Sequence, residues 1–287
     1  MAEASAAPPW RNRRVLFGGG VLLLLIVVAL AAPLIAPHDP LEQDLLSSFD
    51  PPFWRDGADP AFLLGTDSLG RDLLSRLIYG ARVALTVALV AATLAGLLGT
   101  ALGLLAGYFR GPVDAVISRL VDVWMSFPPV VLSLVLMVGL GVGLPNVILA
   151  IVLVDWTRFC RVLRSEVLVV RRRDYVTAAR LAGFSHWRTI TREILPATAP
   201  LLITLVSLEM GIAVIVEAIL SFVGLSVSAQ TPAWGQMIAD GRQYIYEAPA
   251  NLLFPILAIL ISVFGFNLLG DGLRRSLDVR LTAAGRS

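Results

Sequence analysis

Lysine is absent from the 287-residue sequence, cysteine occurs once and histidine twice. Without lysine the chain cannot contain the phosphate-binding loop G-x-x-x-x-G-K-[ST], so any ATP-driven activity must use a nucleotide site on another chain. The single cysteine, Cys160, excludes an internal disulfide and a cysteine-based metal site. The two histidines, His38 and His186, are too far apart in the sequence to suggest a metal site or a catalytic triad.

Charged residues are also scarce. They make up 15% of the chain, whereas 57% of the residues are hydrophobic and the mean hydropathy is +0.79. Soluble domains have about a quarter of their residues charged. The composition therefore predicts an integral membrane protein.

Long apolar runs predict an all-α fold with six membrane-spanning helices, because a helix needs ~20 apolar residues to cross the hydrocarbon core. One run, 123–154, contains "GLGVGLPN" in its middle and is too long for one span, so we expect a hairpin of two. The other four runs are 15–36, 83–108, 197–227 and 248–270. The first exceeds the apolar core of ~7–15 residues in a cleaved signal peptide, and we expect it to remain as a helix.

The distribution of arginine predicts the orientation, because an excess of basic residues in short loops marks the cytoplasmic side. Arginines are concentrated before the first span, in the connection 158–196, which holds nine, and in the last fifteen residues, which hold four. The segment 37–80 has eight acidic residues and three arginines, a net charge of −5, as expected outside. Six spans with both termini in the cytoplasm satisfy every loop.

The chain then divides into six parts. In chain order they are a cytoplasmic N-terminal tail (1–14), a first transmembrane helix (15–36), an extracytoplasmic segment (37–80), a five-helix core (81–272) that includes a cytoplasmic coupling loop (158–196), and a cytoplasmic C-terminal tail (273–287).

The end of the arginine-rich connection, residues 174–196, has the pattern of two short helices. Asp174 can cap the first helix. Gly183 then breaks it, since glycine tolerates left-handed dihedral angles. One face of this helix is mostly small, so another surface could approach its backbone closely. The residues that fall on this face at helical spacing are Tyr175, Ala178, Ala179 and Ala182.

The second short helix can be capped by Ser185 and end at Pro196. Trp187, Ile190 and Ile194 would share its apolar face. On these residues alone two roles remain open for the segment: a contact surface for another protein, or an amphipathic connector that lies on the lipid headgroups.

The same segment resembles the cytoplasmic loop of ABC-importer permeases. The family pattern is E-A-A, three residues, Gly, nine residues, Ile, one residue, Leu-Pro, and the chain departs from it at the first position and at Glu193. In that family the loop forms coupling helices that dock into a cleft on the cytoplasmic ATPase. The resemblance implies an ATPase-coupling role for Thr177, Ala178, Ala179, Gly183, Trp187, Leu195 and Pro196.

A second stretch, "LLGTDSLGRDLLSRLIYGARVAL" (63–85), is similar to the G-T-D-x-x-G-R-D segment of dipeptide/oligopeptide permeases. Gly65 and Gly70 allow turns, while Asp67 and Asp72 flank Arg71 for local pairing. Three further stretches resemble the same subfamily: "AILSFVGLS" (218–226), "PAWGQMIADGRQY" (232–244) and "FNLLGDGLRRSLDVR" (266–280), in which Val279 replaces the usual proline.

This resemblance implies the smaller permease subunit of a peptide-type ABC importer. Its fold would be the type I importer permease fold, all-α, with a peripheral first helix. The implied partners are a second homologous permease, two ATPase subunits or domains, an extracytoplasmic substrate-binding protein and the bilayer of the inner membrane, but no nucleic acid. The chain would have no catalytic role and no cofactor, since ATP and Mg would bind the ATPase. Dipeptides, oligopeptides and nickel chelates all remain open as substrates.

Two carboxylates, Glu209 and Glu217, interrupt the fifth apolar run and are candidates for lining the translocation pathway. A carboxylate inside a span is costly unless it faces protein or water. Glu217 could meet the amino terminus of a peptide, or could pack against neighbouring hydroxyl or backbone groups. Asp155, at the inner end of the fourth span, is expected to reach interfacial water.

A self-sufficient secondary transporter is the alternative, with Glu209 and Glu217 as ion- or proton-coupling carboxylates. An intramembrane enzyme is disfavoured, because neither histidine falls inside a predicted span and no span contains a Ser/His or His/Asp arrangement.

Overall fold

A computed structural model describes residues 12–228 and 230–277 of the chain. These residues form ten α-helices and no extended strand, which confirms the all-α fold class. The helices are α1 (Arg13–Ile35), α2 (Leu73–Phe109), α3 (Gly111–Met125), α4 (Pro129–Leu140), α5 (Leu144–Val170), α6 (Asp174–Leu181), α7 (His186–Thr189), α8 (Leu195–Phe222), α9 (Trp234–Gly241) and α10 (Ala250–Leu277). Most of the predicted N-terminal tail, and the C-terminal tail beyond residue 277, lie outside the described residues.

Four of these helices are long and apolar enough to cross a membrane: α1, α2, the continuous helix from His186 to Phe222, and α10. The pair α3 and α4 qualifies as a fifth span, bent by 87° at the break between them. Helix α5 lies where the second half of the predicted hairpin was expected. Its C-terminal half contains charged side chains, and for this reason α5 is not among the helices that are apolar enough to cross a membrane.

The bend and the hairpin turn both follow from residues that disfavour a helix interior. Pro128 and Pro129 lie at the break, and Pro129 begins α4, where its missing N–H costs nothing. The turn between α4 and α5 contains Gly141 and Gly143, both with positive φ. The amide of Asn146 closes this turn by donating to the Leu140 and Gly141 carbonyls at 2.9 and 3.1 Å.

The centre of the bundle is the pair α2 and α5, which pack more extensively than any other two helices. Small residues allow the close approach. A Cβ atom at Gly103 would lie 2.9 Å from the Cys160 carbonyl oxygen, and one at Gly107 would lie 2.7 Å from Cβ of Val167. Helix α8 packs on α2 and α10, while α1 packs mainly on α10 at the edge of the bundle.

A buried charge cluster, formed by Asp67, Arg71, Asp72 and Arg76, joins the predicted extracytoplasmic segment to α2. All four residues are less than a tenth exposed. Arg71 Nε donates to Asp67 Oδ2 at 2.7 Å, and Asp67 Oδ2 lies 3.5 Å from Arg76 Nε. The local pairing expected between Asp67 and Arg71 is therefore confirmed.

The cluster also fixes the ends of two helices. Asp72 caps α2 by accepting from the Ser75 N–H at 2.8 Å. Arg71 Nη2 lies 3.5 Å from Asp240 Oδ2 on α9, in a contact between distant parts of the chain. The predicted turns are present as well, since Gly65 and Gly70 have φ values of +81° and +71°.

Candidate functional site

The predicted coupling segment, residues 174–196 and called the coupling segment below, lies between the C-terminal end of α5 and the start of α8. Helix α5 continues to Val170, so residues 158–170 of the predicted coupling loop are helical. Asp174 does not cap α6 as expected. It is the first helical residue, and the preceding Arg173 occupies the cap position without a side-chain hydrogen bond. The carboxylate of Asp174 still lies at the positive end of the helix dipole.

Gly183 ends α6 in the left-handed conformation that the sequence predicted, with φ of +87°. Its N–H donates to the Arg180 carbonyl at 3.0 Å, and the Phe184 N–H donates to the Ala179 carbonyl at 3.1 Å. No neighbouring atom lies within 4 Å of the position that a Cβ would take at Gly183. A larger side chain there would strain the backbone and project into open space.

Ser185 caps α7 as expected, by accepting from the Arg188 N–H at 3.3 Å. Pro196, however, does not end the second helix. One π-helical turn, Ile190–Ile194, joins α7 directly to α8, and the Leu195 N–H donates to the Ile190 carbonyl five residues earlier. Pro196 thus lies in the first turn of α8, where a missing N–H is tolerated.

The shared face predicted for Trp187, Ile190 and Ile194 is wrong. Ile190 and Ile194 are buried and pack in a cluster with residues of α5, whereas 64% of Trp187 is exposed. That prediction assumed continuous α-helical periodicity, which the π turn interrupts at Ile190. The two isoleucines therefore anchor the coupling segment to the spans, and Trp187 points away from them.

Most of the remaining predicted coupling residues are open to solvent. Thr177, Ala178, Gly183 and Pro196 are exposed, while Ala179 and Leu195 are half-buried. Leu181, which the family pattern did not include, is 85% exposed. Leu181 lies three residues after Ala178 on the same helix face, and this spacing could have identified it as a coupling residue from the sequence. Exposed apolar side chains beside small residues are typical of protein interaction sites.

The coupling segment, together with the three arginines that precede it, is also electropositive. Residues 171–196 contain six arginines and two carboxylates, Asp174 and Glu193. The Arg188 guanidinium carbon lies 4.1 Å from the ring centroid of Phe184, which holds one of these charges at the turn after Gly183. Both the apolar side chains and the charge suit an acidic protein surface.

Glu209 belongs to a buried ionic group that joins α8 to α5. Its Oε2 accepts from Arg158 Nη1 at 3.0 Å, and Arg158 Nη2 lies 3.5 Å from Asp155 Oδ1. Asp155 is 4% exposed, so the expectation that it reaches interfacial water is wrong, because Arg158 holds it between the helices. A cleft of about 230 Å³ opens beside Glu209 and is lined further by Phe159, Leu205, Leu208 and Ile212.

Glu217 lies in a different environment. It is buried and accepts a hydrogen bond from Ser226 Oγ at 2.9 Å. The Ser226 carbonyl in turn accepts from the Gly143 N–H at 2.7 Å. Glu217 thus holds the end of α8 against the α4–α5 turn, and it shares no contact with Glu209.

Within residues 12–228 and 230–277, no three His, Cys, Asp or Glu side chains lie close enough together to hold a metal ion. The candidate functional groups are therefore the exposed surface of the coupling segment, at the end of a long helix, and two separate carboxylates, Glu209 and Glu217.

Two family models match the sequence. The model for binding-protein-dependent transport system inner membrane components matches residues 99–283, and that for the N-terminal transmembrane domain of oligopeptide transport permease C matches residues 10–52.

Individual relatives are also similar over most of their length. A di/tripeptide transport system permease protein from Pseudomonas aeruginosa (strain UCBPP-PA14) is 42% identical, covering 95% of this chain and 90% of the relative. A nickel transport system permease protein from Escherichia coli (strain K12) is 41% identical, covering 88% of this chain and 89% of the relative.

Among solved structures, an inward-facing conformation of the MetNI methionine ABC transporter contains a similar chain. The TM-score is 0.58 and the identity 19%, over 72% of this chain and 95% of that one. At this identity the likeness shows a shared fold.

Proposed function

The chain belongs to the family of binding-protein-dependent transport system inner membrane components, and from that premise we propose that it forms half of the translocation pathway of a peptide importer. The resemblance to peptide and nickel permeases, drawn from the sequence motifs, is confirmed by both family models and by the relatives. The chain is thus a transport permease embedded in a membrane.

The coupling segment supports the mechanism most directly. The continuous helix from His186 to Phe222 has an exposed surface at its cytoplasmic end and carries Glu209 and Glu217 further along. Closure of an ATPase pair on ATP binding would pull on this end. Because Ile190 and Ile194 pack on α5, the same movement would tilt α5 and α8 together and open the pathway outward.

Six spans with both termini in the cytoplasm remain our proposal, with α5 as the sixth. The helix has 27 residues, which corresponds to ~40 Å and is long enough to cross the bilayer. Three of its arginines have partners on neighbouring helices: Arg158 with Glu209, Arg161 Nη2 with Asp122 Oδ1 at 2.8 Å, and Arg164 with Asp114. Glu209 and Asp114 are largely buried, and pairs of this kind are compatible with a membrane-spanning helix.

The partners proposed are a second homologous permease, two ATPase subunits or domains that bind ATP and Mg, and an extracytoplasmic substrate-binding protein. The location proposed is the inner membrane, as the family description suggests. The protein would itself carry out no catalysis. We favour a peptide as substrate because a relative named for di/tripeptide transport is 42% identical, although another is named for nickel.

The two pathway candidates have different support. Glu209 borders an open cleft, which is compatible with a pathway position, whereas the hydrogen bond from Ser226 to Glu217 favours a packing role. A secondary transporter would use the Asp155, Arg158 and Glu209 group for coupling, since two carboxylates share one arginine there.

Substitution of Gly183 tests the proposed coupling. Gly183→Arg should leave membrane insertion intact and abolish co-purification of the ATPase and the stimulation of its activity. Gly57→Arg is the matched control, because Gly57 has φ of +83° and also has no atom within 4 Å of the position that a Cβ would take, but lies in the extracytoplasmic segment. ATPase co-purification at the wild-type level in Gly183→Arg would refute the role of this segment. Ion-driven uptake by the purified chain alone would favour the secondary transporter.

A further inference from the structure

A cationic pocket lies between the cytoplasmic ends of α2 and α5 and the coupling segment. It has a volume of about 300 Å³ and is lined mainly by Tyr108, Phe109, Arg171, Thr177, Arg180 and His186. No acidic side chain lines it in the part of the chain that the structure describes. The pocket thus joins two spans to the segment that is proposed to contact the ATPase.

The two arginines of the cationic pocket are held in place by hydrogen bonds to hydroxyl, imidazole and carbonyl groups. Arg180 Nη1 donates to Tyr108 Oη at 3.2 Å and to His186 Nδ1 at 2.8 Å. Arg171 Nη1 donates to the Gly107 and Tyr108 carbonyls at 3.3 and 2.5 Å. Neither guanidinium forms an ion pair with a described residue, and the Nε and Nη2 groups of both remain available as donors.

The positive charge around the cationic pocket is therefore uncompensated. Burial, together with the neighbouring charge of Arg110, lowers the pKa of the Arg171 guanidinium below its ordinary value. An anion that entered the pocket would relieve this repulsion and could accept from both guanidinium groups, which is the geometry that phosphate oxygens favour.

An exposed apolar stripe on α2 leads to the same pocket. Its members recur at helical spacing and are exposed: Val90, Leu94, Leu97, Leu98 and Ala101. The stripe continues through the half-buried Leu105 to Phe109, which lines the pocket. A ligand with one anionic end and one long apolar end would fit both features at once.

We propose that the cationic pocket binds the phosphate headgroup of an anionic phospholipid, with an acyl chain lying along the α2 stripe. Basic pockets at the cytoplasmic ends of spans suit anionic headgroups of that leaflet. The inference rests on the cytoplasmic placement of the coupling segment under the proposed function. The lipid would tie α6 and α7 to the ends of α2 and α5, so coupling would depend on the lipid composition of the membrane.

Lipid retention by the full-length chain tests this directly. Native mass spectrometry of the detergent-purified protein, titrated with dioleoyl-phosphatidylglycerol or dioleoyl-phosphatidylcholine, should show preferential retention of the phosphatidylglycerol. Arg180→Gln should weaken that retention about fivefold, equivalent to about 1 kcal/mol, with little effect on phosphatidylcholine. Arg171 is less suitable for substitution because it also bonds the last carbonyls of α2.

Arg188→Gln is the matched control, since Arg188 lies in the same segment but stacks on Phe184 outside the pocket. Equal phosphatidylglycerol retention by the wild type, Arg180→Gln and Arg188→Gln would overturn the proposal. Binding of inorganic phosphate as tightly as of phosphatidylglycerol would contradict the role of the stripe.

A further outcome would assign the pocket to a protein partner. If Arg180→Gln retained the lipid but lost the ATPase, the anion would be an acidic side chain of that subunit and the lipid proposal would fail. Because the lipid titration uses the chain alone, its result is independent of whether the ATPase assembles. Failure of the lipid site is thereby distinguishable from failure of the coupling function.

Discussion

The buried charge cluster and the coupling segment are both polar interruptions of an apolar chain, and both carry recognisable motifs. They differ in where the partners of their side chains lie. The four charged residues of the cluster are buried, and the groups they contact lie within the subunit. The coupling segment instead exposes Leu181 and Trp187, and its three arginines form no ion pair with any residue in 12–228 or 230–277. A motif whose charged groups contact one another inside the subunit specifies the fold, whereas a motif left exposed at the end of a long helix indicates a partner.

The largest effect should follow from breaking the buried charge cluster. Asp67→Ala leaves Arg71 and Arg76 without the carboxylate that they share, and removing one member of a buried ionic group costs about 3–5 kcal/mol. Thermal unfolding of the detergent-solubilised protein should show this loss. Asp56→Ala, an exposed position in the same extracytoplasmic segment, should change stability by no more than about 0.5 kcal/mol. Equal stability of the two variants would show that the cluster does not hold the fold.

The opposite result is expected at the coupling segment. Leu181→Ser should leave stability within about 0.5 kcal/mol of the wild type, because the side chain is 85% exposed. Binding of the ATPase should weaken by about 1.5–3 kcal/mol, the value of burying a leucine, which is at least tenfold in affinity. Pull-down of the ATPase with permease-containing nanodiscs measures the change. A destabilised variant with unchanged ATPase binding would reverse the contrast between the two regions.

The helix caps provide a smaller and closely matched comparison. Asp72 caps α2 at 2.8 Å inside the buried charge cluster, and Ser185 caps α7 at 3.3 Å on the surface. Cap removal costs roughly 0.5–2 kcal/mol. Asp72→Ala should lie at the upper end of that range in thermal unfolding, because the arginines of the cluster pair with Asp67 and not with Asp72. Ser185→Ala should lie at the lower end. Similar losses for both would mean that burial does not distinguish the regions.

Glu217→Gln should have the smallest effect. Glu217 is satisfied within the subunit, since Ser226 donates to its Oε1, and a glutamine carbonyl can accept the same hydrogen bond. Substrate uptake by the assembled importer should therefore remain at the wild-type level. A substantial loss of uptake with normal assembly would instead support a pathway role for this carboxylate.

Local rules predicted the parts of both regions that depend on a few neighbouring residues. The glycine turns at Gly65, Gly70 and Gly183 were predictable because only glycine adopts positive φ without strain. The Ser185 cap followed from the hydrogen-bonding capacity of its hydroxyl group. The scarcity of charge was sufficient to indicate a membrane protein, whereas the orientation read from the arginine-rich connection stays a prediction.

Contacts between residues that are distant in the sequence could not be predicted from local rules. The Arg71–Asp240 pair joins opposite halves of the chain, and the buried Asp155 lies beside Arg158, which pairs with Glu209 on another helix. The π turn at Ile190 rotates Trp187 away from the face that α-helical periodicity assigned to it. Each outcome depends on tertiary packing, on which a periodic pattern carries no information.

Accessibility of one thiol tests the central claim, that the coupling segment is a cytoplasmic surface covered by another chain. Cys160 is 1% exposed, so Ala178→Cys would introduce the accessible thiol, and Trp54→Cys would report the opposite side of the membrane. A membrane-impermeant maleimide should label Ala178→Cys in inside-out vesicles and not in intact spheroplasts, and assembly with the ATPase should block the reaction. Labelling of Ala178→Cys from the outside, or unchanged labelling in the presence of the ATPase, would contradict this account.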